Sequence, residues 1–256
     1  WFVEATQHDE LREALAWAAE NSTDVRLLSG GSNLVVADEG CPELVIAVGL
    51  RGRRVEERAG RVYLRAAAGE PWDALVAWTV EQGWAGLECL SGIPGLVGAT
   101  PIQNVGAYGQ DVSETIHEVQ VMSREDGALS TLSAEECRFS YRDSVFKGAW
   151  SGRYVVTEVT FALIAGGKPC LRYPQLLRDV REPERLGLAD VRERVLALRA
   201  EKSMVFAPSD PHSHSCGSFF VNPVLTPAQQ PLLEPLREQG ATLWPQPDGS
   251  TKVPAA

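Results

Sequence analysis

Apolar positions recur along this chain with two different periods, and the switches between them outline its elements. Over residues 9–21 they fall at Leu11, Ala14, Leu15 and Ala18, one face of a helix behind an acidic first turn. Residues 25–28 form an apolar run of strand length, residues 29–33 (Ser-Gly-Gly-Ser-Asn) a tight loop, and residues 34–37 a second apolar run that predicts another strand. Together these give a β-α-β-loop-β opening. Further strands are predicted over 43–48, 61–67, 118–123 and 154–163. Pro71 opens a helix that stops before Gly83, a second covers 189–202 with Val191, Val195 and Leu198 on one side, and a last one precedes Gly240.

Residues 86–109, GLECLSGIPGLVGATPIQNVGAYG, fit neither period. They are too punctuated for a long helix and too apolar for a linker, which leaves a packed, irregular binding segment. A composition change at Gly166-Gly167-Lys168-Pro169 predicts a boundary. The expected organisation is 1–165, with subdomains of about 1–42 and 43–165, then a connecting segment 166–205 and a partial domain 206–256.

Composition narrows the classes. A chain of 256 residues, 44% hydrophobic and 23% charged, is long enough for a sizeable core. Its net charge of −10 disfavours a nucleic-acid or anionic-membrane surface, which needs a basic face. No uninterrupted apolar run reaches the length of a membrane span, since Glu158 breaks the best candidate. No signal peptide is visible. The cysteines, Cys41, Cys89, Cys137, Cys170 and Cys216, are odd in number and contain no CxxC pair, so a reducing cytoplasm is expected and neither a disulfide framework nor a zinc site. His212 and His214 share a Ser/Pro-rich stretch that reads as a solvated loop, and no metal is expected.

The candidate chemistry lies in the two glycine-rich segments. Gly30-Gly31-Ser32-Asn33, between strands, can present its amides to phosphate oxygens, because glycine allows a close approach of backbone to ligand. It lacks the GxGxxG spacing and following helix of a Rossmann site. A second segment of different character makes a clamp on a dinucleotide conceivable. Alone, each also reads as an ordinary turn or a packed Ω-loop.

Four motifs in order, LSGGSNLVVAD, GLECLSGIPGLVGATPIQNVGAYGQ, CRFSYRDSVFK and CGSFFVNP, resemble those of the UDP-N-acetylenolpyruvoylglucosamine reductases of bacterial peptidoglycan synthesis, in the subclass with a tyrosine-bearing loop. The resemblance implies an α+β fold: an FAD-binding module of the vanillyl-alcohol-oxidase/PCMH type, in two α+β subdomains, plus a separate α+β substrate-binding domain. It implies non-covalent FAD held by Ser29, Gly30, Gly31, Ser32, Asn33, Ile93, Pro94, Gly95, Gly98, Ala99, Thr100, Ile102, Gln103, Asn104, Gly106 and Ala107. Arg142 and Ser218 match the family's catalytic arginine and serine, and Tyr108, Tyr173, Arg199, Lys202 and Asn222 its substrate positions.

The implied reaction passes a hydride from NADPH to FAD and on to C3 of the enolpyruvyl ether of UDP-N-acetylglucosamine. Arg142 then stabilises the developing charge and Ser218 protonates C2, giving UDP-N-acetylmuramate for cell-wall growth, cell shape and division. A cytoplasmic monomer is expected, with no nucleic-acid partner and no membrane insertion. The resemblance also implies a chain trimmed at both ends, without the family's third catalytic residue, a C-terminal glutamate. Another oxidoreductase or oxidase of the same flavin fold, or a non-catalytic flavin or nucleotide-sugar binding module, stays open as an alternative.

Overall fold

The computed structural model of the chain describes residues 1–217 and 220–255. Two compact units emerge, Trp1–Ser215 and Cys216–Ala256. In the first, β1 (Phe2–Ala5), α1 (His8–Glu20), β2 (Val25–Leu28) and β3 (Leu44–Val48) build a parallel three-stranded sheet in the order β1-β3-β2. The apolar stripe of α1, Leu11, Ala14, Leu15 and Ala18, is buried against Ala5, Leu44 and Ile46. The helix starts where the Glu10 carboxylate accepts from the amides of Thr6 and Gln7 at 2.7 and 3.1 Å, groups that a helix start leaves without partners.

The strand expected over 34–37 does not form. Leu34, Val35 and Val36 are exposed, and the chain reaches β3 through irregular backbone. Four apolar residues are too few for periodicity to tell a strand from a loop; pairing with a neighbour decides, and β3 takes that place. The division expected near residue 42 falls just before β3, which is the middle strand of this sheet.

The rest of the unit is carried by β4 (Arg53–Arg58), β5 (Arg61–Ala67), α2 (Trp72–Glu81), β6 (Trp84–Ala85), the small hairpin of β7 (Gly106–Ala107) and β8 (Gln110–Asp111), β9 (Ile116–Ser123), β10 (Leu129–Ser133), β11 (Tyr154–Ala165) and α3 (Leu188–Ala200). An antiparallel sheet runs β10-β9-β11-β5-β4, with β6 pairing the far end of β11. Val62, Leu64 and Ala66 alternate inward on β5, as a half-buried strand requires. Trp72 packs its ring 5.8 Å from that of Phe161 and donates its indole N–H to the Leu90 carbonyl at 3.0 Å, so this large side chain is buried without an orphaned donor. β4, Arg-Arg-Val-Glu-Glu-Arg, escaped the pattern because all six residues are exposed; charge suits a sheet edge, where it discourages pairing with other chains.

A register shift between Val156 and Glu158 interrupts the β9–β11 ladder, and the carbonyl of the intervening Thr157 accepts from the Ala68 amide at 2.8 Å. The bulge therefore sits where β11 passes the cleft described below. On the other side, α3 buries Val191, Val195 and Leu198 against Cys89, Tyr108 and Leu176. Arg192 locks it to α2 through a two-pronged pair with Asp73, at 2.6 and 2.9 Å.

The second unit holds β12 (Val224–Leu225), α4 (Glu234–Glu238), β13 (Trp244–Pro245) and β14 (Thr251–Lys252), with strands paired antiparallel in the order β12-β14-β13. Among the described residues no helix is long and apolar enough to cross a membrane.

Candidate functional site

A cleft of about 570 Å³ opens in the first unit, a volume in the range of cofactor sites. Both glycine-rich segments line it: Ser29, Gly30, Gly31, Ser32 and Asn33 from one, and Ile93, Pro94, Gly95, Gly98, Ala99, Thr100, Ile102 and Gln103 from the other. Val48, Ala68, Trp72, Val155 and Val156 add an apolar wall. The segments meet backbone to backbone, since a Cβ on Gly30 would stand 2.9 Å from Gly95 Cα. Gly98 is pressed as closely onto the main sheet: its amide donates to the Ala68 carbonyl at 2.8 Å, and a Cβ there would lie 2.6 Å from Ala68 Cβ. Gly31 has φ +69°, a conformation that glycine adopts without strain.

The polar groups of the first glycine loop lack internal partners. Among the described residues, the amides of Gly30, Gly31, Ser32 and Asn33 donate to no protein acceptor, and the buried Ser29 hydroxyl is unpaired. A buried hydroxyl without a partner, as at Ser29, is rare unless a ligand meets it, whereas the loop amides stand open to the cleft. A row of free amides on a glycine loop suits phosphate oxygens, and the apolar wall suits a flat ring, so the residues fit a flavin dinucleotide.

Asn104, Gly106 and Ala107, which the resemblance puts beside the flavin, are not among the residues lining this cleft; the carbonyls of Asn104 and Gly106 hold Arg142, and Ala107 pairs with Gln110 in the β7–β8 hairpin. The Asn104 side chain is buried, donating to the Ser140 carbonyl at 2.9 Å and accepting from the Ser113 amide at 3.1 Å. The Arg142 guanidinium donates to the carbonyls of Asn104 and Gly106 and pairs with Asp111 at 3.3 Å. A Cβ on Gly106 would come within 1.6 Å of Asp111 Oδ1 and 2.7 Å of Arg142 Nη1, so the clamp requires glycine there. Asn104, Tyr108 and Arg142 all hold positive φ, 45°, 49° and 55°, strain that gathers where side chains must be aimed. Lys147 links this cluster to the cleft: it lines the cleft and donates to the Arg142 carbonyl at 2.9 Å.

The residues expected to hold substrate divide four ways. Tyr108 and Tyr173 stand edge to face, 5.3 Å between centroids, and burial pushes the Tyr108 hydroxyl pKa up against the pull of Arg199. Lys202, at the end of α3, reaches the Gln175 side chain at 3.5 Å. Arg199 is buried and donates to the carbonyls of Gly92 and Met204 at 3.1 and 3.0 Å; burial lowers its pKa, opposed by Tyr108 and Asp73. Asn222 belongs to the second unit, where it accepts from the Ala255 amide at 3.0 Å. Ser218 lies outside the described residues.

Sequence reasoning passed over three cations that line the cleft, Arg26, Arg124 and Lys147. Arg26 is tied to Glu43, whereas Arg124 donates to the Val25 carbonyl at 3.2 Å with no carboxylate in ion-pair distance among the described residues. Burial lowers the Arg124 pKa. Lys147 carried a signal, as the last residue of the CRFSYRDSVFK motif; an isolated arginine between a strand and a turn carried none.

The FAD-binding domain family matches residues 1–133. Curated relatives named UDP-N-acetylenolpyruvoylglucosamine reductase include that of Salinispora arenicola, 48% identical over 99% of this chain and 71% of that protein. That of Saccharopolyspora erythraea is 45% identical over 100% of this chain and 72% of that protein. The crystal structure of the enzyme of that name from Thermus caldophilus covers 100% of this chain and 81% of its own, at 25% identity and a TM-score of 0.60. Cholesterol oxidase from Brevibacterium sterolicum, 16% identical with a TM-score of 0.50 over 64% of this chain and 34% of its own, shares the fold. The α+β, PCMH-type architecture expected from the motifs is thereby met.

Proposed function

The chain belongs to the UDP-N-acetylenolpyruvoylglucosamine reductase family, and from that premise we propose that it is the FAD-dependent, NADPH-consuming enzyme that makes UDP-N-acetylmuramate for peptidoglycan. The observation that carries the reading is the meeting of the two glycine-rich segments around one cleft with unpaired amides and an orphaned Ser29 hydroxyl. Bound non-covalently there, FAD supplies the relay of a hydride from NADPH to C3 of the enolpyruvyl ether.

The chain's own residues do the rest. Arg142, held by the Asn104 and Gly106 carbonyls and by Asp111, meets the substrate carboxylate and the charge that develops on it, the type of interaction that strengthens most in the transition state. Ser218 gives its hydroxyl proton to C2. Tyr108, Tyr173, Lys202 and Asn222 hold the UDP-sugar handle, with Arg199 fixing the floor behind Tyr108 through Gly92. Asn104 and Gly106 seat Arg142 next to the cleft through their carbonyls. In domain terms, 1–165 carry the flavin, 166–205 connect, and 206–256 are part of the substrate-binding domain. The enzyme works as a monomer in the cytoplasm, supporting cell shape and division through the wall precursor.

Anaerobic spectroscopy tests this reading. NADPH should bleach the flavin, and the enolpyruvyl UDP-sugar should restore its colour with one product formed per flavin reoxidised. Restoration by air at a comparable rate would mark an oxidase. A flavin that NADPH leaves oxidised, or that the sugar leaves reduced, would mark a binding module.

A further inference from the structure

Cys89 and Cys170 lie 81 positions apart in sequence and side by side in space. Cys89 sits fully buried in the short helical turn Glu88–Leu90, and Cys170 half-buried in the loop that follows β11. The Cys89 thiol donates to the Cys170 carbonyl at 3.3 Å, and the Cys170 amide donates to Glu88 Oε1 at 2.7 Å, so the loop is stitched to the turn on both sides of the sulfurs. Arg172 donates its Nε–H to Cys170 Sγ at 3.2 Å. One sulfur of the pair is thus reachable and beside a guanidinium, and the other is shielded behind it.

We propose that Cys89 and Cys170 form a peroxide-sensitive dithiol, with Cys170 taking the oxidant and Cys89 closing an intrachain disulfide. The Cys170 thiolate attacks one oxygen of hydrogen peroxide; the O–O bond breaks, sulfur loses two electrons, and the leaving hydroxide takes a proton to become water. The Cys89 sulfur then attacks the Cys170 sulfenic acid, the S–O bond breaks, and the departing hydroxide leaves as water with the Cys89 proton. Two thiols and one peroxide give one disulfide and two waters.

The electrostatics favour this division of roles. The Cys170 pKa is lowered to about 5, first by the thiol of Cys89 and then by Arg172, while the hydrogen bond to Cys170 and burial raise that of Cys89. The other thiols are placed differently. Burial pushes Cys137 up to about 12, and the Cys41 thiol donates a hydrogen bond to the Glu43 carboxylate. Closing the disulfide would pin the loop that leads, three residues on, into Tyr173, whose ring rests on Tyr108.

The test treats the flavin-loaded protein with equimolar hydrogen peroxide and maps its peptides by mass. A Cys89–Cys170 cross-link two hydrogens lighter than the dithiol, reversed by a thiol reductant, is expected. Cys89→Ala should instead leave Cys170 as a sulfenic acid that dimedone captures. Arg172→Gln, which keeps both thiols, should slow cross-linking on the order of tenfold at neutral pH, with the fold checked by circular dichroism. A cross-link between other cysteines, faster capture at Cys41 or Cys216 than at Cys170, or an unchanged rate in a folded Arg172→Gln protein would overturn the proposal.

Discussion

The two ends of the glycine-rich segment 86–109 are built on opposite principles. Its first part, through Gln103, lines the cleft with main chain, where Gly95 lets one loop touch the other and Gly98 is pressed onto the sheet. Its second part, from Asn104 to Tyr108, holds positive φ and turns the carbonyls of Asn104 and Gly106 onto the side chain of an arginine that arrives from 38 positions further on. A wall of close-packed backbone tolerates no added atoms, whereas a seated guanidinium depends on a few polar contacts. The two should therefore fail differently.

The largest effect is expected at the arginine end. Arg142→Ala should slow reoxidation of reduced flavin by the enolpyruvyl sugar by about a hundred- to a thousandfold, and leave flavin reduction by NADPH near its normal rate, as rapid-mixing spectroscopy would read. Equal loss in both half-reactions would mean that Arg142 shapes the cleft itself. On the backbone end, Gly30→Ala forces the two loops apart, because its methyl group would stand 2.9 Å from Gly95 Cα. Overpacking of about 1–3 kcal/mol predicts a flavin Kd weaker by about 5- to 150-fold, measured by flavin fluorescence on titration. An unchanged Kd would break the claim that contact between the loops builds the cradle.

A smaller effect concerns the support that both ends share. Burial works to raise the Asp73 pKa, but hydrogen bonds from Arg192 and the Gly92 amide outweigh it and leave the pKa lowered. A carboxylate held below its ordinary value contributes stability above about pH 4 and loses it as the pH falls through the folded value. Asp73→Asn should cost about 1–2 kcal/mol at neutral pH, moderated because the carboxylate keeps contact with solvent, and the gap to the wild type should narrow in acid denaturation below about pH 4. The smallest change is expected at Val35→Ser, beside the first loop. Val35 is 76% exposed in irregular backbone, so unfolding should shift by no more than about 0.5 kcal/mol, where a paired strand would lose more.

By itself, the sequence determined the elements whose burial repeats with a clear period: the α1 stripe, the inward alternation of β5, the apolar length of β11, and α3. It also singled out the two glycine-rich segments that line the cleft, because a glycine cluster between strands constrains the chain wherever the rest of the molecule lies. Only the tertiary structure decided that Leu34–Val36 stays exposed while β3 takes the strand position, that the carbonyls of Asn104 and Gly106 seat Arg142, and that Arg199 donates to carbonyls. It alone brought Arg124 to the cleft and Cys170 to Cys89. The physical reason is that backbone conformation is set by nearby residues, whereas a side chain's partner is set by which distant segments the sheet and its crossovers bring together, and no local pattern encodes that meeting.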